Sequence, residues 1–193
     1  LEPGELLFLV GGNGSGKTTL AKLFTGLYAP ESGEVRLDGQ PVTDETRDAY
    51  RQLFSTVFSD FHLFENLLGL APPERSGQVA HYLARLNLDQ KVRVTDGKLS
   101  TTALSLGQRK RLALLASWLE DRPIYVFDEW AADQDPVFKQ IFYEELLPEM
   151  KRAGKAVLVI SHDDRYFHVA DRLVRLDSGR LVEPAPDAQR VAS

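Results

Sequence analysis

The 193-residue chain contains no cysteine and only one methionine. The absence of cysteine excludes disulfide bonds, zinc–thiolate sites and a cysteine nucleophile. Long apolar runs are also lacking, since the longest, 6–10 and 112–116, fall far short of the ~18 residues that a membrane-spanning helix needs. Leu1–Glu5 has neither an initiator methionine nor the basic start of a signal peptide. We therefore expect a piece of a longer protein.

Basic residues are also fewer than acidic residues. The chain has 23 Lys and Arg residues against 28 Asp and Glu residues, which gives a formal net charge of −5. This acidic excess argues against nucleic acid as the main partner. Hydrophobic residues make up 43% and charged residues 26%, a balance typical of a folded globular protein. The length fits one domain, or one domain with a small additional lobe.

Short apolar runs alternate with segments of helical periodicity along most of the chain. This alternation predicts an α/β fold with a mostly parallel core sheet, and Asp-Gly and Ser-Gly turns predict a small antiparallel edge. Helices are predicted over 17–25 and 136–151. The predicted core strands are 6–10, 53–58, 124–127, 156–160 and 173–176.

The segment 65–100 differs from the rest of the chain. Val79, Leu83 and Leu86 lie at helical spacing, and we find no run of strand-forming residues there. The segment therefore predicts an inserted helical lobe. The predicted organisation is a first part of the core at 1–64, a helical lobe at 65–106, a second part of the core at 107–183 and a tail at 184–193.

Gly11–Thr18 matches the phosphate-binding pattern G-x-x-x-x-G-K-[ST]. It follows a predicted strand and opens a predicted helix, which is the context that the motif requires. Such a loop points backbone N–H groups at phosphate oxygens, while Lys17 reaches the β- and γ-phosphates and Thr18 binds Mg²⁺. We therefore expect ATP and Mg²⁺ as ligands. The predicted nucleotide contacts are Gly11, Gly12, Asn13, Gly14, Ser15, Gly16, Lys17, Thr18 and Thr19.

The predicted strand 124–127 is followed by two acids, Asp128 and Glu129. In P-loop ATPases the first acid holds Mg²⁺ and the second polarises the attacking water. The alternative is a strand that ends in a solvated turn. After a phosphate-binding loop we favour the catalytic interpretation, with Thr18 and Asp128 as metal ligands and Glu129 as general base.

The segment Leu104-Ser105-Leu106-Gly107-Gln108 precedes a predicted helix, and Ser105 lies about twenty residues ahead of the acidic pair. It resembles the Leu-Ser-Gly-Gly-Gln signature of the ATP-binding cassette (ABC) family. The resemblance implies a P-loop cassette that hydrolyses ATP as a homodimer, with each nucleotide held between two copies. The signature residues of one copy, Ser105, Leu106, Gly107 and Gln108, would then complete the site of the other copy.

Two further positions gain a role only from this resemblance. His162 lies where the family has its switch histidine, which supports the γ-phosphate, and Asp135 lies at the closing aspartate of the D-loop. Together with Lys17 and Glu129, His162 would form the catalytic set.

The chain also departs from the family pattern. Leu106 replaces a signature glycine. Ser59 and Asp60 stand where the family has the Q-loop glutamine that touches Mg²⁺, so we expect a contact through water or from Asp60 instead. The adenine-stacking aromatic of the family is expected upstream of Leu1.

Residues 58–64, 104–111 and 127–136 together resemble the cyclic-peptide and siderophore exporter branch of the family, to which exporters of pyoverdine, syringomycin and microcin-type peptides belong. This implies a fused six-helix membrane domain and efflux of a peptide or a pyoverdine-like siderophore, with the cassette on the cytoplasmic face of the bacterial inner membrane. The alternatives are a soluble ABC-type ATPase and a regulatory module that binds ATP without hydrolysing it.

Two groups of side chains allow a structural or a functional interpretation. Phe58, Phe61, Leu63 and Phe64 either fill the junction between sheet and lobe or line a groove for a segment of the membrane domain. For the basic run 109–111 we expect a solvated helix face.

Overall fold

The computed structural model describes residues 1–67 and 69–182. Its main element is a six-stranded sheet formed by β1 (Leu6–Val10), β4 (Phe54–Val57), β7 (Ile124–Asp128), β8 (Ala156–Ile160), β9 (Arg172–Asp177) and β10 (Arg180–Val182). The strand order is β10-β9-β1-β8-β7-β4. Five of these strands, β1, β4, β7, β8 and β9, run parallel to one another, and β10 pairs antiparallel to β9.

Helices cover both faces of this sheet, and two short hairpins lie outside it. The α-helices are α1 (Lys17–Phe24), α2 (Arg47–Arg51), α3 (Ser76–Arg85), α4 (Leu106–Glu120), α5 (Pro136–Ile141) and α6 (Leu147–Arg152). The hairpins are β2 (Arg36–Leu37) with β3 (Gln40–Pro41), and β5 (Val94–Thr95) with β6 (Lys98–Leu99).

Successive side chains of the core strands belong to different hydrophobic clusters, one on each face of the sheet. Phe8 and Phe127 join the larger cluster, which includes α3 to α6, whereas Leu9 and Val126 join the smaller cluster with α1 and α2. Strands buried on both faces read as continuous apolar runs, because side chains alternate between two apolar surroundings. The predicted α/β fold with a mostly parallel core sheet is confirmed.

The inserted lobe is not purely helical, so the expectation that no strand interrupts it was wrong. β5 and β6 pair across Asp96 and Gly97, which both have positive φ, +50° and +75°. Asp38-Gly39 connects β2 and β3 with the same geometry, φ +50° and +78°. An Asp-Gly pair favours this two-residue turn even between strands only two residues long, so both hairpins carry the same local signal in the sequence.

The helix predicted over 136–151 is interrupted. Its central turn, Phe142–Leu146, is π-helical, and α6 follows directly with Pro148 in its first turn. Proline has no N–H to donate and crowds the preceding turn, which explains a wider turn at this place.

The predicted domain boundaries stay a prediction, and the predicted tail at 184–193 lies outside the described residues. Within the described ranges 1–67 and 69–182, no helix combines the length and the apolar composition that crossing a membrane requires.

Phe142 is fully buried at the centre of an aromatic group that packs against β7. Its ring centre lies 4.3 Å from that of Trp130, on which it stacks, and 5.4 Å from that of Phe127, which it meets edge to face. We predict that Phe142→Ala lowers the free energy of unfolding by about 3–5 kcal/mol, since it opens a cavity in the core. Phe64→Ala is the matched control: Phe64 is 58% exposed, and its change should stay within about 0.5 kcal/mol. Urea denaturation of both variants tests this, and equal destabilisation would contradict the described packing.

Candidate nucleotide-binding and catalytic site

The carboxyl ends of β1, β7 and β8 carry most of the predicted site residues. Gly11 follows β1, Glu129 follows β7, and Ser161 follows β8. The register is level, because both Leu9 and Asp128 pair with Ile160 of the intervening strand. The edge of a parallel sheet at its carboxyl ends is the usual ligand site of such folds.

The glycine-rich loop is held against the hairpin formed by β9 and β10. Gly11 has φ +151°, and a Cβ atom there would lie 2.1 Å from the carbonyl oxygen of Leu176, so no other residue fits. The N–H of Gly179 donates to the carbonyl oxygen of Ser15 at 3.0 Å. The hairpin turn therefore fixes the shape of the loop.

The interior of the loop is electropositive. Lys17 is buried, and its Nζ donates to the carbonyl oxygens of Gly11 and Gly12, both at 3.0 Å. The helix α1 begins at Lys17, and the N–H groups of a first helical turn have no acceptor within the helix. Among the described residues, the buried Ser15 Oγ has no hydrogen-bond partner. Free donors at a helix N-terminus next to a lysine form a site for a phosphate group.

Thr18 and Asp128 meet at the mouth of this loop. Thr18 Oγ1 donates to Asp128 Oδ2 at 2.8 Å, and Ser59 Oγ lies 3.4 Å from the same oxygen. Burial raises the pKa of Asp128 above its usual range, and the neighbouring negative charge of Glu129 adds to this, while the hydrogen bond from Thr18 acts in the opposite direction. A bound cation would favour the charged carboxylate and offset this cost.

The side-chain oxygen atoms of Thr18 and Asp128 are suitable ligands for Mg²⁺. The ion prefers oxygen ligands and is usually held by one or two carboxylates together with substrate phosphates and water. Thr18 Oγ1 and Asp128 Oδ2 are such oxygens, already 2.8 Å apart and next to the phosphate loop. In the described part of the chain, no group of three or more His, Cys, Asp and Glu side chains forms a metal cage. The residues therefore fit an ion that arrives with a nucleotide.

Glu129 and His162 face each other across the ends of β7 and β8. His162 Nε2 lies 3.1 Å from Glu129 Oε1, and both side chains are solvent-accessible. Ser161 is buried, and its Oγ is 2.7 Å from the Tyr143 hydroxyl and accepts the N–H of Asp163 at 3.0 Å. These bonds fix the turn that carries His162. An exposed carboxylate oriented by an imidazole can accept a proton from water.

The signature residues form the N-terminus of α4. Ser105 Oγ accepts the N–H of Gln108 at 3.3 Å, and Gln108 Oε1 accepts the N–H of Ser105 at 3.2 Å, which is a capping box. Leu106 is 48% exposed and does not have positive φ, so leucine replaces the signature glycine without backbone strain. No hydrogen bond or ion pair of the described residues joins 105–108 to the loop 11–19 of the same chain.

Neither Asp135 nor Asp60 forms a hydrogen bond or an ion pair with the described residues of the phosphate loop. Asp135 caps α5, where its Oδ1 accepts the N–H of Phe138 at 3.0 Å and its Oδ2 accepts a bond from Arg111 at 2.5 Å. The hydrogen bond from the Phe138 N–H has the largest effect on the pKa of Asp135 and lowers it below its usual range. The hydrogen bond and the positive charge of Arg111 lower it further. Asp60 Oδ2 lies 3.3 Å from Lys22 Nζ on α1. Asp60 is therefore directed to α1, and Ser59 is the residue that approaches Asp128.

The expectation of a solvated face at 109–111 was wrong for two of the three residues. Lys110 is 2% and Arg111 8% exposed. Arg111 lies with its Cζ atom 3.6 Å from the ring centre of Phe138, and Lys110 pairs with Asp133 at 2.7 Å. Both side chains contact the acidic segment after β7, which the basic run alone does not reveal. A signal was present in the apolar run 112–116, since a helix that is apolar on all sides is buried on all sides.

The four apolar residues around the Q-loop position pack in different places. Phe58 packs against the smaller cluster, whereas Leu63 is buried in the larger cluster and Phe61 packs against it. Phe61, Leu63 and Phe64 also line an open groove beside α4, where Phe64 is exposed. Phe61 and Leu63 thus fill the junction between sheet and lobe, and the use of the groove by a segment of the membrane domain stays a prediction.

Known proteins resemble this chain in sequence and in fold. Residues 1–132 match the family model described as ABC transporter. The ATP-binding protein SyrD of Pseudomonas syringae pv. syringae is 57% identical over 185 residues, which cover 94% of this chain and 33% of that protein. An ATP-dependent lipid A-core flippase of Alkalilimnicola ehrlichii is 35% identical over 195 residues, covering 95% of this chain and 33% of the flippase.

Among solved structures, cbiO1 from Clostridium perfringens, part of the ABC transporter complex cbiONQ, matches with a TM-score of 0.74 at 26% identity, covering 94% of this chain and 76% of cbiO1. The chain spans about a third of the length of the curated relatives it matches. These matches confirm the resemblance that the motifs indicate.

We predict that Lys17→Ala weakens ATP binding about 10- to 100-fold, because hydrogen bonds to charged groups contribute ~1.5–3 kcal/mol. Titration of the protein with a fluorescent ATP analogue measures the Kd. Lys91→Ala is the control, since Lys91 is an exposed residue of the lobe, and its affinity should equal that of the wild type. An unchanged Kd for Lys17→Ala would contradict the role of the loop.

Proposed function

The chain belongs to the ABC transporter family, and from this premise we propose that it is the domain of an ABC exporter that binds and hydrolyses ATP. The observation that carries the proposal is the hydrogen bond between Thr18 Oγ1 and Asp128 Oδ2, 2.8 Å long. It brings the phosphate-binding loop and the acidic strand end into one site, and Glu129 is the next residue in the chain.

In the proposed reaction, Lys17 and the amide groups of the loop hold the β- and γ-phosphates. Glu129 accepts a proton from a water molecule, the water oxygen forms a bond to the γ-phosphorus, and the bond from that phosphorus to the bridging oxygen breaks. The products are ADP and phosphate. His162, 3.1 Å from Glu129 Oε1, orients the carboxylate and supports the γ-phosphate. A general base typically contributes ~10²–10⁴-fold to the rate.

Thr18 and Asp128 are the residues we assign to Mg²⁺. When bound, the ion supplies positive charge that neutralises the phosphate oxygens. The protein's own part is to hold the two oxygens together beside the loop, which the 2.8 Å hydrogen bond between Thr18 Oγ1 and Asp128 Oδ2 accomplishes.

We assign the signature residues Ser105, Leu106, Gly107 and Gln108 to the site of a second copy of the chain. Two features support this homodimer. The residues form the N-terminus of a 15-residue helix, where N–H groups are available to an anion. The Leu106 side chain is 48% exposed and is therefore available for contact with the second copy.

A fused membrane domain is the partner we assign to the groove beside α4. The groove is mainly apolar, with Phe61, Phe64, Ala113 and Ala116 among its lining residues. The chain also spans only about a third of the length of SyrD and of the lipid A-core flippase, which leaves room for a membrane-spanning part. In this arrangement the domain lies at the cytoplasmic face of the bacterial inner membrane.

The proposed cargo is a peptide or a peptide-like siderophore of the pyoverdine type. Support comes from the segments 58–64, 104–111 and 127–136, which resemble the peptide and siderophore exporter branch. The identity of 57% to SyrD against 35% to the flippase also favours this branch over lipid transport.

We predict that Glu129→Gln lowers ATP turnover at least about 100-fold while ATP binding is retained, because the amide cannot accept the proton. Turnover is measured as phosphate release from the full-length natural protein, and ATP retention by filter binding. The variant with ATP should elute as a stable dimer in gel filtration.

Glu144→Gln is the matched control for this experiment. Glu144 is exposed and accepts a hydrogen bond from Gln140 at 2.8 Å, outside the site, so turnover should equal that of the wild type. Unchanged turnover in Glu129→Gln would remove Glu129 from its role. A wild-type protein that binds ATP without hydrolysing it would favour the regulatory module.

For the cargo, we predict ATP-dependent transport of a cyclic lipopeptide or of a pyoverdine-type siderophore by the full-length protein in proteoliposomes. Lipid A is offered in parallel as the competing cargo, and Glu129→Gln serves as the inactive control. Transport of lipid A alone would contradict the peptide or siderophore proposal and leave the ATPase proposal intact.

A further inference from the structure

Lys110 is a buried cation that links the signature helix to the segment after β7. Only 2% of the residue is exposed. Its Nζ donates to the carbonyl oxygen of Glu129 at 2.9 Å and lies 2.7 Å from Asp133 Oδ2. In the opposite direction, Trp130 Nε1 donates to the backbone carbonyl oxygen of Lys110 at 3.0 Å. A single residue of α4 thus contacts three residues of the segment 129–133.

Glu129 has a backbone conformation that needs such support. Its φ of +51° and ψ of +34° are left-handed, and a residue with a side chain keeps such a sparsely populated conformation only where surrounding contacts hold it. Its N–H donates to the carbonyl oxygen of Ile160 at 3.0 Å. Its carbonyl oxygen accepts one hydrogen bond from the Lys110 ammonium group and a second, 3.2 Å long, from the N–H of Ala132.

The first turn of α4 lies directly against this segment. A Cβ atom on Gly107 would be 2.5 Å from the carbonyl oxygen of Asp133. Gln134 Nε2 donates to the carbonyl oxygen of Gly107 at 3.1 Å. Lys110, one turn further along the helix, therefore reaches Glu129 from a fixed position.

The charge of Lys110 has a cost that packing alone does not explain. Removing an ammonium group from water is unfavourable, and the pairing with Asp133, whose side chain is 39% exposed, offsets this only in part. An apolar pair would fill the same space without that cost. What an apolar pair cannot supply is a hydrogen bond to the Glu129 carbonyl.

We propose that Lys110 is a positioning residue for Glu129, which holds the backbone of Glu129 so that its carboxylate meets the attacking water. The inference rests on the proposed function, in which Glu129 is the general base. Because α4 begins with the signature residues 105–108, the same contact connects the base of one nucleotide site to the residues assigned to the other. Asp133 keeps the ammonium in place.

The test is steady-state ATP hydrolysis by Lys110→Met in the full-length natural protein. We expect kcat to fall on the order of 10- to 100-fold, because a shift of about 1 Å in a catalytic group costs a factor of this size. The KM for ATP should stay within about twofold, since Lys110 contacts no residue of the phosphate loop and only the transition state loses an interaction.

A double variant separates positioning from folding. Lys110→Met with Asp133→Leu removes both charges together, which leaves stability near that of the wild type, whereas removing one partner of a buried pair is destabilising. The melting temperature should therefore recover relative to the single variant. The kcat should remain low, because nothing donates to the Glu129 carbonyl from α4.

Lys155→Met is the matched control. Lys155 Nζ also contacts a backbone carbonyl oxygen and a carboxylate, both of Asp121, at 3.1 and 2.7 Å, but it lies at the other end of β8. Its kcat should equal that of the wild type. A kcat near the wild-type value in Lys110→Met or in the double variant overturns the inference. A wild-type protein without turnover contradicts the proposed function itself, so the two failures are distinct.

Discussion

The level register of β1, β8 and β7 is the constraint on which the site depends. Leu9 and Asp128 pair with the same residue, Ile160, so the loop that follows β1 and the acids at the end of β7 emerge side by side. This is why Thr18 and Asp128, 110 positions apart in the chain, form a hydrogen bond. A slip of one residue would turn Asp128 to the opposite face of the sheet. The close packing of individual side chains in the two hydrophobic clusters opposes such a slip, so the core fixes the geometry of a polar site.

The second constraint acts on the acidic segment after β7. Its backbone turns sharply at Glu129, where φ is +51°, and its next side chain, Trp130, is anchored in the aromatic group with Phe142. On the other side the segment meets α4 through Lys110 and Arg111. Buried charged residues thus connect a helix to a loop inside the molecule. The carboxylate of Glu129 remains solvent-accessible while its backbone is held from three directions.

Much of the candidate site follows from short-range chemistry. A glycine-rich loop with lysine and threonine at its end, and two acids after an apolar strand, need no long-range information to be identified, because each requires residue types at fixed spacing. The Asp-Gly turn at 96–97 carries the same local signal as the one at 38–39, so the hairpin of β5 and β6 was within reach of the sequence, but the helical spacing of Val79, Leu83 and Leu86 dominated the interpretation of that segment. The π-helical turn at Phe142–Leu146 was missed for another reason, since a helical pattern does not record how wide each turn is.

The sequence by itself determined the class of fold, the loop that receives phosphate and the kind of chemistry that two acids beside it support. Local spacing encodes these features, since hydrogen bonding within a turn or along a strand involves neighbours in the chain. Only the tertiary structure decided that Lys110 and Arg111 are buried, that Asp60 pairs with Lys22 and that Ser59 approaches Asp128. Such outcomes depend on which side chains meet across distant segments. From sequence alone, a charged residue is predicted to be exposed to solvent. Only the tertiary structure shows which opposite charge pairs with it in the interior.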